Sequence, residues 1–336
     1  MGLRARVGRR NRSARRSPRR VRWVVLGVAV GLLGLGVVTS PTPPRPECGG
    51  VVEGDVVLDR DLVGCEGHGV RLAPFAKLDC AGHEIRAAST GGAGYGVVLE
   101  DIEESVVRNC RIAGFARGIR VRGGRGNVIA ANEIAGSRYG IEVAQIPRGA
   151  TSESHRITGN RVRDSLRAGI RVGAGAKAVA LEGNLIDGAG HAGIALAGCR
   201  ACVVHGNSVQ RAGRSGLDVK DSVAGDVRGN TISGSVLRVR GRSERNLLEK
   251  NRLVGAGYVF AALGETVARG RRIPAQNRVV GGAVLQTSVC FRFRGARDNE
   301  VLGVEVDDCR IRSDRPAGAI APSGNRISEI ARVTPG

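Results

Sequence analysis

Two short phrases recur in step along this chain at a spacing near 23 residues, and few folds accept such a period. An asparagine just ahead of an Ile, Val or Leu appears at Asn109, Asn132, Asn160, Asn184, Asn207, Asn230, Asn251, Asn277, Asn299 and Asn325. The steps are 23, 28, 24, 23, 23, 21, 26, 22 and 26. Between these anchors, Gly96, Gly118, Gly140, Gly169, Gly193 and Gly216 open the phrases "GVVL", "GIRV", "GIEV", "GIRV", "GIAL" and "GLDV". Both series stretch in the coil that carries "QIPRGATSESH" (Gln145–His155), so they mark one underlying repeat.

Each repeat supplies only short apolar-x-apolar pieces. In a strand the two apolar residues of such a piece point one way and the middle residue the other. No single repeat can bury its apolar face, whereas stacked repeats can, each strand pairing with its equivalents above and below. The expected fold is therefore all-β, a single-stranded parallel β-helix of roughly eleven coils and about 50 Å in length. Asparagine suits the corners, because it tolerates left-handed backbone angles and its amide can bond neighbouring coils into a ladder. Glycine ahead of "I-x-V" would serve the next corner without steric cost. The stretch "LEGNLIDGAGHAGIALAG" is then one lap: Asn184 at a corner, Leu185–Ile186 on one wall, a bend, and Ile194 with Leu196 on the next.

The 52 glycines and 3% aromatic content fit a turn-rich repeat better than a compact enzyme. The formal charge of +21 is partly a tail effect, since residues 1–22 hold ten arginines and no acid. The remaining charge suits an acidic partner or reflects a bias toward arginine, with 48 arginines beside Lys77, Lys177, Lys220 and Lys250. Behind the basic tail, Trp23–Val38 is a run of sixteen apolar residues. That run, with its flanks (residues 23–40), reads as an uncleaved signal anchor in preference to a cleaved signal peptide, with the basic end held inside and the body exported. Residues 41–47 form a Pro-rich spacer. Residues 48–330 are the repeat body and 331–336 a tail. Eight cysteines fit an oxidising exterior.

The repeat resembles the right-handed parallel β-helix proteins of the pectin-lyase type, most of all the NosD-like, carbohydrate-binding and sugar-hydrolysis group. The opening "CGGVVEGDVVLDRDLVGCEGHGVRLAPFAKLDCAGHEI" looks like that group's cap and first coils. The resemblance spans roughly 48–330 and speaks to fold, since relatives include lyases, hydrolases, epimerases and adhesins. Cys48 with Cys65 would staple the cap. Cys80 with Cys110, and Cys290 with Cys309, lie about one coil apart, so stacking could join each pair. Cys199 and Cys202 form a lone CxxC, suited to a local disulfide or two buried thiols rather than zinc. The group's label suggests copper, but one methionine and five scattered histidines do not support it.

Candidate chemistry lies on the outward face of the "G-I-x-V" strands. The middle residues there are Val98, Arg120, Glu142, Arg171, Ala195 and Asp218, with Arg122 and Lys220 two places on. Two residues before each glycine stand Arg138, Arg167, His191 and Arg214. One reading is a groove for an acidic polysaccharide. Arg120, Arg138, Tyr139, Glu142, Arg167 and Arg214 would line it, without a clear catalytic set. The second is a uronate lyase or epimerase, with Arg171, Lys220 or His191 as base and Asp218 or Glu142 assisting. A third, bland reading is a solvated wall on which Glu142 pairs with Arg120 and Arg171. No cofactor is called for, although a lyase would admit calcium at Asp218 and Asp221. Glu142 and Asp218 sit three coils apart, roughly 14 Å, too far for a paired-carboxylate glycosidase. Nucleic acid is disfavoured, because aromatics for base stacking are missing and the body is exported. The loop Gln145–His155 leaves from this wall and could overhang it.

Overall fold

Alternation at three-residue scale builds three walls. The computed structural model describes residues 45–90, 92–147, 150, 152–261, 273–314 and 323–332. The basic tail, the apolar run Trp23–Val38 and most of the spacer lie outside these residues. Among the described residues no helix is long and apolar enough to cross a membrane. The chain winds through three parallel sheets of twelve strands each, so eleven coil steps separate first strand from last. Wall A runs from Val51–Val52 to Arg310–Asp314, wall B from Asp55–Val57 to Arg326–Ser328, and wall C from Leu62–Cys65 to Ala331–Arg332.

Register keeps like residues in file. On wall B, Ile129, Ile157, Leu181, Val204 and Val227 are successive neighbours, all buried. On wall C the file runs Ile134, Val162, Ile186, Val209, Ile232. Each such side chain contributes about 1.5–3 kcal/mol on burial, and the columns merge into one continuous apolar core.

The asparagine series is in fact two ladders. Asn132, Asn160, Asn184, Asn207, Asn230 and Asn251 stand before the wall C strands, each amide Nδ2 donating to the next Oδ1 at 2.9–3.0 Å. Asn246, Asn277, Asn299 and Asn325 form a second ladder one corner earlier, before the wall B strands, at 2.8–2.9 Å. Asn109 belongs to neither. Cys110 takes the place below Asn132, its backbone N donating to Asn132 Oδ1 at 3.0 Å. The left-handed angle expected of the asparagines falls on the residue before each: Ala131, Gly159, Gly183, Gly206, Gly229 and Lys250 have φ of 51° to 63°. The corner turns one residue early so that the asparagine side chain can point inward and bond.

His155 occupies the second ladder's place in its coil. It is fully buried, its Nδ1 accepts the Asn127 backbone N–H at 3.3 Å, and Nε2 lies 3.2 Å from Ser152 Oγ. Burial pushes its pKa down from 6.5 to about 4. The neutral ring therefore stabilises the fold fully above about pH 6.5, and that contribution is lost as pH falls from there towards 4. The loss amounts to about 3 kcal/mol. His155→Asn, which installs the residue that the preceding coil uses at Asn127 and the last four coils use from Asn246, is expected to flatten this slope in urea denaturation between pH 7 and 4.

The glycines ahead of "I-x-V" do not turn corners, contrary to expectation. A Cβ at Gly118, Gly140 or Gly193 would strike the β-branched side chain of Ile134, Val162 or Val209 on wall C and the next coil's glycine carbonyl. They are small because two walls meet there. Four disulfides close the cysteine account: Cys48–Cys65, Cys80–Cys110, Cys199–Cys202 and Cys290–Cys309, with Cα–Cα distances of 5.2, 4.7, 6.1 and 5.5 Å. Four disulfides are what a secreted or extracellular protein carries.

Candidate functional site

The outward file on wall A follows the expected register. Arg120, Glu142, Arg171, Ala195 and Asp218 are successive neighbours, and the file continues to Arg238. Beside it run Ala197, Lys220 and Arg240. The flanking bank is also in step: Arg167 N donates to Arg138 O at 2.9 Å, His191 N to Arg167 O at 2.8 Å, and Arg214 N to His191 O at 2.8 Å.

One coil of this wall is stripped of bulk. Where its neighbours present Arg171 and Asp218, the coil through 192–197 presents Ala192, Ala195 and Ala197. Small side chains between large ones leave an open hollow of about 340 Å³. Around its alanine floor stand Tyr139, Arg167, Arg171, His191, Asp218, Lys220 and Arg240. All four residues named as candidate catalytic groups, Arg171, Lys220, His191 and Asp218, therefore meet at one place, with Tyr139 and Arg167.

Arg120, Arg138, Glu142 and Arg214 do not line the hollow. Glu142 is buried, its side chain 5% exposed, and it accepts hydrogen bonds from Arg171 Nη1 at 2.7 Å and from Arg117 Nε. Arg120, expected as Glu142's partner, turns away. Its Nη1 donates to the Tyr95 hydroxyl at 3.0 Å and its guanidinium lies 4.8 Å from that ring's centre. Arg117, between Tyr95 and Tyr139 at 5.4 and 5.6 Å, takes the vacant side of the carboxylate. Glu142 thus orients Arg171 and offers no free carboxylate of its own. Asp218 is bound in the same manner. Arg240 Nε and Nη2 donate to its two oxygens at 2.7 and 2.5 Å, a bidentate pair that raises the Arg240 pKa. Asp221, the other suggested calcium ligand, is turned to the Arg242 backbone N–H at 2.8 Å. Among the described residues no group of three His, Cys, Asp or Glu side chains is placed to hold a metal ion.

The described residues of the insertion do not overhang the hollow. Ile146 is buried and packs on Gly175, while Ser152–Glu153 pairs with Gly124–Arg125. Four contributors escaped the sequence reading: Arg240, Arg238, Arg117 and Tyr95. The first two lie in "LRVR", which lacks the leading glycine used as a search anchor. Tyr95 and Arg117 immediately precede Gly96 and Gly118, in the file that also holds Tyr139, Ala168 and Ala192. Aligning the residue before each glycine would have found them.

Similarity to known proteins bears on the fold. No curated protein sequence matches the chain. Among solved structures, the catalytic unit of a thermostable GH87 α-1,3-glucanase from Streptomyces thermodiastaticus superposes with a TM-score of 0.62 at 15% identity, covering 86% of this chain and 64% of the glucanase. A GH136 lacto-N-biosidase from Eubacterium ramulus gives 0.51 at 13% identity, covering 87% of this chain and 63% of the other. A second GH87 α-1,3-glucanase catalytic domain, in complex with nigerose, gives 0.52 at 11%, covering 84% and 63%. This chain thus spans a little under two thirds of the length of each. The family described as "Right handed beta helix region" matches residues 59–191 and 95–262, together well over half of the sequence. With three parallel walls and files of like residues in register, the chain belongs to the right-handed β-helix family.

Proposed function

We propose that this protein binds acidic polysaccharide through wall A, with the alanine-floored hollow as the principal contact and no catalysis. The observation that carries this reading is the charge in the hollow. Arg167, Arg171, Lys220 and Arg240 surround it, and the one carboxylate on its rim, Asp218, is already bidentate with Arg240. Arg171 is held by Glu142, so one face of its guanidinium is fixed and the rest is presented to a ligand. Lys220 lies 3.9 Å from Asp221, so of the four cations Arg167 alone has no carboxylate within 4 Å among the described residues. A uronate carboxylate entering here would be met by Arg167 and by the donors that Arg171, Lys220 and Arg240 leave over. The alanine floor admits a sugar ring, and Tyr139 flanks it. Sugar-active enzymes share the fold, one of them in complex with nigerose, which fits a carbohydrate partner. The body would be carried at the cell surface by an anchor at residues 23–40.

Ala195→Arg is the direct test. The site faces outward between coils that already carry large side chains, so the fold should tolerate it and thermal unfolding should be unchanged. Binding to an array of uronate polymers is expected to fall at least tenfold. Equal binding by wild type and variant removes the hollow from the reading.

A lyase or epimerase is the second reading, favoured by the meeting of His191, Lys220 and Tyr139 with Asp218 around one hollow. An ultraviolet assay for unsaturated uronate and NMR of treated polymer, each with and without calcium, separate the two. Wild type is expected to leave the polymer unchanged. Product that disappears in His191→Ala or Lys220→Ala establishes the enzyme instead.

A further inference from the structure

The two ends of the coil stack differ from its middle and from each other. Six large apolar side chains stand exposed among the described residues, and five of them lie at the ends: Val51, Val57, Val63 and Phe75 in the first two coils, Ile311 in the last. Val51, Val57 and Val63 sit one on each wall, on the strands that open the three sheets. At this head the core is closed, with Val52, Leu58 and Leu62 buried and the Cys48–Cys65 disulfide tying the first coil. At the tail it is open. Ile311 continues the buried file of Phe291, and Arg332 that of Val306, yet Ile311 is 46% exposed and Arg332 is exposed as well. Stacked repeats rely on a polar outer face on the terminal coil to keep molecules apart, and free sheet edges invite pairing. The last coil lacks that face at Ile311.

The ends are also opposite in charge. Residues 45–66 carry six carboxylates against two arginines. Asp55 and Asp59 are paired with Lys77 and Arg45, and Asp61 bonds His83, which leaves Glu47, Glu53 and Glu66 without a cation within 4 Å among the described residues. The last strands, Arg310–Asp314, Arg326–Ser328 and Ala331–Arg332, carry four arginines and one carboxylate. That carboxylate, Asp314, is bound to Arg292 of the preceding coil, and none of the four arginines has a carboxylate within 4 Å among the described residues. The asymmetry reaches beyond the end coils: residues 45–105 hold twelve carboxylates and five cations, residues 106–336 nineteen and thirty-seven.

We propose that the tail of one molecule docks on the head of a second copy, so that the protein associates end to end. Opposite charge orients the approach, and the partner's head covers the exposed Ile311. A tail-to-tail pair would set four arginines against four, and a head-to-head pair carboxylates against carboxylates, so the charges select head-to-tail order. A separate basic protein would suit the head, but it would leave Ile311 and the arginines of the tail unaccounted for. The contact joins two different surfaces, so each docked copy presents a free end of its own and the row can grow. It lies apart from the hollow on wall A and holds whether or not polysaccharide binds there.

The test is analytical ultracentrifugation of the full-length chain in detergent over a range of concentrations. Average mass is expected to rise with concentration past that of a dimer, and the association to weaken roughly tenfold between about 0.05 M and about 0.5 M salt. Two charge-reversed chains carry the argument: Glu53→Lys with Glu66→Lys at the head, and Arg312→Glu with Arg332→Glu at the tail. All four side chains are exposed, so thermal unfolding should be unchanged. Each variant alone is expected to associate at least tenfold more weakly than wild type. An equal mixture, which offers the native head of one and the native tail of the other, is expected to associate again. A head variant that associates like wild type indicates tail-to-tail pairing and overturns the proposal. A tail variant that does so indicates another ligand for the acidic head, such as the arginines of residues 1–22, and overturns it too. Wild type that stays monomeric, association that neither salt nor variant weakens, or a mixture that stays apart each overturns the contact.

Discussion

Gly193→Ala is expected to cost about 3 kcal/mol or more of folding stability, although it adds a single methyl group in a strand. The new Cβ would overlap the Val209 side chain on wall C and lie 2.7 Å from the Gly216 carbonyl oxygen of the next coil. Neither can yield freely. Val209 belongs to a buried file, and the Gly216 carbonyl belongs to a wall whose register is set by strands on both sides. Overpacking of this kind typically costs 1–3 kcal/mol, and more where backbone must move. Gly183→Ala is the control. Its φ of +60° carries a conformational cost, but no atom lies within 4 Å of the added methyl, so a loss of about 1 kcal/mol is expected. Urea midpoints of the two variants decide whether close packing or backbone freedom selects glycine ahead of "I-x-V". Equal losses would return the role to the backbone.

Asn207→Asp is expected to be as damaging while changing no shape. Asn207 Oδ1 accepts from Asn184 N and Nδ2, which a carboxylate could also do. Its Nδ2, however, donates to Leu181 O, His205 O and Asn230 Oδ1 at 2.9, 3.2 and 2.9 Å. A carboxylate oxygen in that place faces three acceptors and has no proton to give. Leaving buried acceptors unsatisfied costs about 1–3 kcal/mol, and burying an uncompensated charge adds more, so a loss of about 4 kcal/mol is expected at pH 7. A protonated carboxyl regains a donor. The folded state therefore raises the pKa of the introduced group, and part of the lost stability should return as pH falls towards 4. A urea midpoint for Asn207→Asp that does not move closer to wild type on acidification would contradict the ladder.

The sequence reading and the structure meet at particular places. The outward order Arg120, Glu142, Arg171, Ala195, Asp218 was legible from six glycine-led phrases, because strand alternation and a constant period together decide which residue stands above which. The bank Arg138, Arg167, His191, Arg214 followed by the same logic. The two inter-coil pairs, Cys80–Cys110 and Cys290–Cys309, fell where stacking pointed, Cys48–Cys65 staples the cap as expected, and Cys199–Cys202 takes the local disulfide of the two alternatives left open. The two asparagine ladders were not separable, since "N-x-V" looks alike at both corners. The step of 26 from Asn251 to Asn277 conceals a move to the preceding corner. Asn109 was misassigned for a related reason: the side chain one place on, Cys110, holds the ladder position.

What the residues determined alone was the set of vertical files: apolar side chains every second position can be buried only if equivalent positions stack, and that condition has one solution at this period. What only the tertiary structure decided was the partner each charged side chain takes within its file. Glu142 has several cations within one coil of it, and its choice of Arg117 and Arg171 over Arg120 depends on where the Tyr95 ring lies. The hollow is likewise a tertiary fact. An alanine is small in any sequence, but it becomes a floor only when the coils on either side raise walls around it.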